Sequence, residues 1–474
     1  MTNKISFIFF FTIFLVARPC WSGVHETFGI GAKATSLGGA FTAYADDFSA
    51  IHYNPAGIIQ NKGTSISTGL HVIDLDYKQK VKQTDTSLGS DPLSGTSSEN
   101  NSDLLYVPQI GVVYSPKGGK WAFAYGIYAP FGLHGWWNSH NANNRFDVSE
   151  TYNNRIVYAS PTIAYRFFEN ISIGISIGFG YAEEGFSTRL RVPGLEQSLG
   201  PPYDKMSGLG YQTTVGNLSC NLDDDLTVST NIGILWEATD RLSFGLTYRS
   251  KSHAKMKGDS TYKYTRDAID LLSELGVDAP ESETFETKLS FTYPQSIGFG
   301  GKIDLTDKWR VMADVTWTDW SARSSENLSY DGEPVFLQLA DSLDSGEPTD
   351  GLSFKRNWVD TYEFRIGTEY QSKEWLAVRF GYHYRPSGIK EKYWDNTWPL
   401  IDFHIFSLGS GMRLSKHTTI DLCYSLALGE DWDIENGESQ NLTTQKVIYS
   451  PYAGDDVQVE TKIHSFIINY TYRF

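Results

Sequence analysis

Every second side chain in the last stretch of the sequence is apolar or aromatic: Phe466, Ile468, Tyr470, Tyr472 and Phe474. The residues between them are mostly polar (Ser465, Asn469, Thr471, Arg473), with Ile467 the exception. Period two marks a strand, because successive side chains point to opposite faces of a sheet. The cleanest case is Ile171 to Tyr181, where Ile171, Ile173, Ile175, Ile177, Phe179 and Tyr181 alternate with Ser172, Gly174, Ser176, Gly178 and Gly180. The same pattern predicts strands over 64–79, 104–116, 120–130, 153–168, 171–190, 223–239, 242–258, 286–305, 309–322, 354–372, 375–387, 402–415, 418–430 and 455–474. Short turns (116–120, 169–170, 239–241, 306–308, 372–374, 416–417) alternate with long links (80–103, 131–152, 191–222, 259–285, 323–353, 388–401, 431–454). Fourteen such segments, with almost no helical period, read as one all-β antiparallel sheet closed on itself.

The N-terminus and the composition choose the solvent around that sheet. Lys4 precedes the unbroken apolar run Ile5 to Val16, which is too short to cross a bilayer as a helix, and Ser22 and Gly23 follow. Residues 1–22 therefore read as a secretory signal peptide cut after Ser22. Cys20 does not read as a lipid attachment site, because Arg18 and Pro19 stand where small residues are expected. No later apolar run approaches the ~20 residues of a membrane helix. Aromatic residues make up 14% of the chain and glycines number 43, which suits a barrel with apolar faces toward lipid and small or polar faces inside. The final strand, ending on Phe474, resembles the closing strand of a bacterial outer-membrane barrel and the signal read by the barrel-assembly machinery. The expectation is a transmembrane 14-stranded antiparallel β-barrel over 61–474, both ends periplasmic, in contact with outer-membrane lipid and lipopolysaccharide. The formal charge of -16 becomes -18 once Lys4 and Arg18 leave, which argues against a nucleic-acid partner. Acidic runs such as Asp223-Asp224-Asp225 and Glu430 to Glu438 read as solvated links between strands. Cys220 and Cys423 are far apart and imply no disulfide framework.

Residues 23–60 are not strand-like. They are rich in Gly, Ala and Phe, which favours packing over a free polar tail. A wide barrel needs a plug if it is not to leak. The order Gly29-Ile30-Gly31, Leu37-Gly38-Gly39-Ala40, Ala45-Asp46-Asp47 and Asn54-Pro55-Ala56 resembles the N-terminal hatch of the FadL family of outer-membrane transporters. That resemblance implies a monomeric barrel, plugged by the hatch, that passes long-chain fatty acids or aromatic hydrocarbons inward. It implies no metal, no cofactor and no catalytic step.

The same resemblance distributes expected roles. Gly38, Gly39, Asp46, Asp47, Asn54, Pro55 and Ala56 belong to the hatch and its gate, with Asn54-Pro55-Ala56 a fixed corner and Asp46-Asp47 a link to lumen arginines. Pro130, Phe131 and Gly132, at the end of the third strand, correspond to a kink that opens the wall sideways. Proline breaks the ladder there and glycine permits an inward bend. An apolar landing surface is expected outside. The helical stretch Ala268 to Leu275, with Ile269, Leu271 and Leu272, offers exposed aliphatics, and Leu133, Trp136 and Trp137 offer a facing wall. Alternation points Arg166, Arg249, Arg365, Glu369, Arg379, His383 and Arg385 inward. Such charges ordinarily pair with one another, but a base among them could meet a carboxylate, and Arg379 and Arg385 are the favoured candidates.

Other functions fit the sequence less well. A diffusion porin would be defeated by a plug. A hydrolase would need a nucleophile and base, and the ten His and many Ser residues show no spacing that singles out a dyad or triad. A structural or adhesive barrel would need neither a loop helix nor a broken strand. The expected function is passive uptake of hydrophobic molecules, with long-chain fatty acids ahead of monoaromatics or alkanes because of the inward bases.

Overall fold

The computed structural model describes residues 29–474 apart from 83–84, 87–88, 91–94, 96, 100–103, 137–147, 193–212, 275, 324, 339–350, 395–397, 399 and 436–455. The expected signal peptide lies outside the described residues. Fourteen antiparallel strands form the barrel. They are β1 (Gly63–Val81), β2 (Leu105–Ser115), β3 (Trp121–Trp136), β4 (Val148–Phe168), β5 (Ile171–Val192) and β6 (Thr213–Glu237). Next come β7 (Leu242–Arg249, resuming as Ser252–Tyr264), β8 (Ser282–Tyr293 and Ser296–Asp304), β9 (Trp309–Thr318, with Ser325–Tyr330) and β10 (Gly351–Lys355 and Thr361–Lys373). The set ends with β11 (Leu376–Arg385), β12 (Phe403–Arg413), β13 (Thr418–Gly429, with Trp432–Ile434) and β14 (Val457–Arg473). Each strand pairs with the next. β14 pairs with β1 from Ser65↔Arg473 to Val81↔Val457, so the sheet closes on itself.

Alternation sorts the faces as the sequence predicts. Ile173, Ile175, Ile177, Phe179 and Tyr181 are exposed on the outside of β5, whereas Ser172 and Ser176 are buried. On β14, Phe466, Ile468, Tyr470, Tyr472 and Phe474 face out, while Ser465, Asn469 and Thr471 face in. Ile467, the apolar residue on the polar face, packs inside against Ala32 and Cys423.

Several boundaries differ from the expectation. β3 runs on past 130 to Trp136, because its ladder with β4 continues through register shifts at Tyr128/Phe131 and Phe131/Leu133. β6 starts at Thr213 rather than 223, pairing with the far end of β5 through Val192↔Thr213. Asp223-Asp224-Asp225 consequently lies within β6 and not in a link. A register shift opposite Gly180/Ala182 accommodates it.

Residues 29–60 fill the lumen near the short-turn end. They comprise α1 (Ala32–Ser36), α2 (Ala50–Tyr53) and a 3-10 turn (Pro55–Gln60). Ala34, Leu37, Ala40, Phe41, Phe48, Ile51 and Ile58 are buried in the main core, which is the inside of the barrel and not a layer between sheets.

Candidate functional site: the hatch seat, a cationic cavity and a gap in the wall

Backbone groups of the hatch have no helix or sheet of useful length to satisfy them, so lumen side chains do so. Asp314 Oδ2 on β9 accepts the amides of Phe41 and Thr42, both at 2.8 Å. Asn469 Oδ1 on β14 accepts Ala32 N at 2.6 Å, and Gln109 Oε1 on β2 accepts Gly31 N at 2.9 Å. Asn231 Nδ2 on β6 donates to the carbonyls of Ile51 (3.2 Å) and His52 (2.7 Å). The corner Asn54-Pro55-Ala56 is pinned from inside. Asn54 Nδ2 donates to Thr42 O at 2.7 Å and to Ile234 O at 3.0 Å, and its Oδ1 accepts Ala56 N at 3.1 Å.

The wall is hollowed to receive this backbone. A Cβ added at Gly174 on β5, Gly233 on β6, Gly245 on β7 or Gly381 on β11 would collide with Pro55, Asn54, Thr42 or Gly38 respectively. Gly38 needs to be glycine on its own account, since φ is +65° and a Cβ would meet the Tyr382 backbone at 2.7 Å.

Among the described residues the aspartates of the hatch do not reach lumen arginines, contrary to expectation. α1 places Lys33 beside Asp46, with Nζ at 2.6 and 2.7 Å from its two oxygens. Asp47 turns back to accept Ser49 N at 2.8 Å and Ser49 Oγ at 2.6 Å. Nearer partners within the hatch satisfy both carboxylates. The lumen bases hold the hatch in other ways. Arg249 Nη2 donates to His52 O at 2.9 Å, closing the end of α2. Burial, reinforced by Arg249 and Arg365, pushes the His52 imidazole well below its usual range, so the ring is neutral.

Arg379 is occupied. Its Nε lies 2.6 Å from Glu369 and its Nη1 2.7 Å from Asp421, all three buried. Glu369 also accepts Tyr44 Oη at 2.9 Å, so this network is part of the hatch seat. Arg385 has a different setting. With Arg249, Arg365, His383 and Glu363 from the wall, and Gly38, Gly39, His52 and Tyr53 from the hatch, it lines a cavity of about 90 Å³. Pro130 lines the same cavity. The structure thus brings together Gly38, Gly39, Pro130 and Arg385, which are far apart in sequence, and leaves Arg379 outside.

The wall is interrupted beside Pro130. The β2–β3 ladder runs from Tyr114↔Phe123 to Ile110↔Ile127, and among the described residues it goes no further. β2 continues to Leu105 still paired with β1, and β3 continues to Trp136 still paired with β4. Pro108 on β2 and Pro130 on β3 flank the separation, and neither has an amide hydrogen to offer. Tyr128 to Gly132 are all buried, so alternation fails here and the strand bends inward. Phe131 sits against Tyr293 (centroids 5.0 Å), and Tyr128 against His52 of the hatch (5.6 Å).

The outer landing surface differs from the expectation. α3 (Arg266–Glu274) exists, but Ala268 and Leu272 are buried and Ile269 packs half-buried against the core. Apolar positions at helical spacing form one face, and the extended ends of the strands cover it. The side chains of Leu271, Leu133 and Trp136, and the whole of Trp137, lie outside the described residues. The sequence reading missed a buried group in the upper lumen. Trp358 and Trp398 hold the Arg323 guanidinium at 4.3 and 3.9 Å from their ring centres, and Arg356 Nε donates to Glu326 at 2.7 Å. It also missed Asp314, whose signal was a lone carboxylate on the inward face of a membrane strand.

A family model described as outer membrane protein transport protein (OMPP1/FadL/TodX) matches residues 24–474. The chain belongs to the FadL/TodX family of outer membrane transport proteins. It is 23% identical to the long-chain fatty acid transport protein of Escherichia coli O157:H7 over 447 residues, covering 90% of this chain and 92% of that one. Among solved structures, a Pseudomonas aeruginosa FadL homologue superposes with a TM-score of 0.76 at 17% identity, covering 95% of this chain and 100% of the other. The P. putida toluene transporter TodX gives a TM-score of 0.67 at 16% identity, covering 94% and 99%. This FadL/TodX-family barrel is an outer-membrane protein.

Proposed function

We propose that this barrel takes up long-chain fatty acids, binding them in the lumen and releasing them sideways into the bilayer through the break beside β3. The single observation that carries the reading is that Pro130, at the gap in the wall, and Arg249, Arg365 and Arg385 line one cavity against the hatch. At about 90 Å³ the cavity is far below the roughly 300–1,000 Å³ of a complete small-molecule site, so it suits a head group and not a chain. A carboxylate gains charge-assisted bonds beside guanidinium groups, whereas a neutral hydrocarbon gains nothing from them. The acyl chain then lies toward Phe131 and Tyr293 and meets the gap without crossing water. Relatives named for long-chain fatty acids and for toluene make both cargoes worth testing, and the cationic lining favours the acid.

The test is uptake by cells that lack their own hydrophobe transporter and express this chain. Labelled oleate should enter, and changing Pro130 and Gly132 together to valine should abolish entry while the barrel still folds. Entry of labelled toluene without oleate would overturn the fatty-acid reading. Entry of neither, with folded barrel at the surface, would move the protein to a structural or adhesive role.

A further inference from the structure

A second basic cavity lies on the other side of the hatch, at the periplasmic mouth. It encloses about 700 Å³, within the size range of small-molecule sites. The end of the hatch (Ile59, Asn61, Lys62), the β2–β3 turn (Lys117 and Lys120) and the end of β4 (Arg166, Phe167, Phe168) line it. Four bases against one lining carboxylate, Glu169, make an island of positive charge in a chain of formal charge -16.

The bases here differ from those higher in the lumen. Arg379 and Arg310 are tied to buried carboxylates. Among the described residues, Lys62, Lys117 and Lys120 have no carboxylate within ion-pair distance. Arg166 is 3.7 Å from Glu237, yet its Nε is buried without a hydrogen-bond partner among the described residues. Buried donors ordinarily find a partner, and a guanidinium at the cavity wall with one bond unmade is suited to an anion. Asn61 and Ser115 add polar groups, and the apolar part of the lining is Ile59, Pro116 and the two phenylalanines, each 57% exposed. A cationic rim over an apolar wall fits an anionic head group on a hydrocarbon chain.

We propose that this vestibule is a release site for the carboxylate amphiphile that the barrel transports. The inference rests on the fatty-acid reading above and adds a site on the far side of the hatch. The vestibule is lined by the β2–β3 turn and the end of β4, the same part of the wall whose β2–β3 ladder ends at Ile110↔Ile127, so it lies below the lateral route. Cargo leaving that route reaches the periplasmic rim of the same strands, where the lysines attract its head group and hold it at the water boundary.

The test uses the full mature barrel in detergent. A cysteine at position 169 (Glu169→Cys) carries an environment-sensitive fluorophore, and the native Cys220 and Cys423 are buried and do not compete for label. Oleate should change its emission saturably, oleyl alcohol should not, and salt should weaken the response. The combined Lys62→Gln, Lys117→Gln, Lys120→Gln variant should need about tenfold more oleate, whereas Lys308→Gln in another periplasmic turn should change nothing. Total binding of labelled oleate is measured in parallel. Oleate that binds the barrel but leaves the fluorophore silent, or a triple variant that responds as the parent does, overturns the vestibule site and leaves the fatty-acid reading standing. Absence of any oleate binding overturns both.

Discussion

Asp314 Oδ2 accepts the backbone amides of Phe41 and Thr42 at 2.8 Å each, so one carboxylate on β9 fastens the middle of the hatch to the wall. No other described side chain bonds two consecutive hatch amides. Hydrogen bonds to a charged group contribute about 1.5–3 kcal/mol each. Asp314→Ala should therefore loosen the hatch by about 2–4 kcal/mol, allowing for bonds regained to water. Amide exchange at Phe41 and Thr42 should accelerate accordingly while strand amides stay protected. Unchanged protection at these two positions would show that the hatch is held elsewhere.

Gly174 offers the converse experiment, since a side chain there runs into Pro55 and Ala56. Gly174→Val adds bulk on the inward face of a strand that alternation otherwise leaves intact. The corner Asn54-Pro55-Ala56 should be displaced, at an overpacking cost of about 1–3 kcal/mol. Single-channel recording should show raised conductance from a barrel that still resists unfolding in detergent. Conductance equal to the parent's would mean that the corner tolerates the intrusion.

Arg379 and Arg385 should separate in their effects. Arg379 pairs with Glu369 and Asp421, so Arg379→Ala takes the ion partner from buried Asp421 and leaves Glu369 to Arg310 and Tyr44, and should cost about 3–5 kcal/mol. The loss should appear as a lower unfolding temperature, with oleate affinity changed little in the fraction that folds. Arg385→Ala, at the cavity, should weaken oleate binding about tenfold and leave oleyl alcohol binding unchanged. If the two variants exchange these phenotypes, the assignment of the cavity as the head-group site is wrong.

Asp47 gives the hatch a pH dependence. Burial, reinforced by Asp46, pushes its carboxyl up to about 6 against the opposing pull of Lys33 and Ser49. A raised value means that the seated hatch favours the protonated form. The contribution is present in full below the ordinary aspartate value and is lost as pH rises through about 6. Hatch exchange, corrected for intrinsic rates, should show a component that loosens between about pH 4 and 6. Asp47→Asn, which keeps the acceptor for Ser49, should remove that component. A variant with the same pH profile as the parent would assign the effect to another group.

Much of the barrel was legible because its physics is local. Alternation on β5 and β14 follows from the two-residue period of a strand and from lipid on one side, and neither needs knowledge of a partner. Ile467 was the visible anomaly on β14, and its cause lay more than four hundred residues away in Ala32. The site was less legible for the same reason. The sequence shows that Arg379 and Arg385 both point inward. It does not show that Glu369 and Asp421 flank one, while Pro130 and the hatch face the other. The amphipathic spacing of α3 was visible too, but whether Leu272 meets water or packs onto the strands depends on how far those strands extend beyond the lipid.

The strand count, the lipid-facing side and the turn asymmetry were readable along the chain because each is a repeat written in neighbouring residues, and the plug segment stood out as the stretch where that repeat is missing. The closed structure decided which glycines become hollows for the hatch, which carboxylate fastens it, where the β2–β3 ladder parts, and which lysines at the short-turn mouth have no carboxylate within reach among the described residues. Those outcomes depend on distances between residues that only ring closure brings together, and a charge in a lumen is defined by the group it faces, not by its neighbours along the chain.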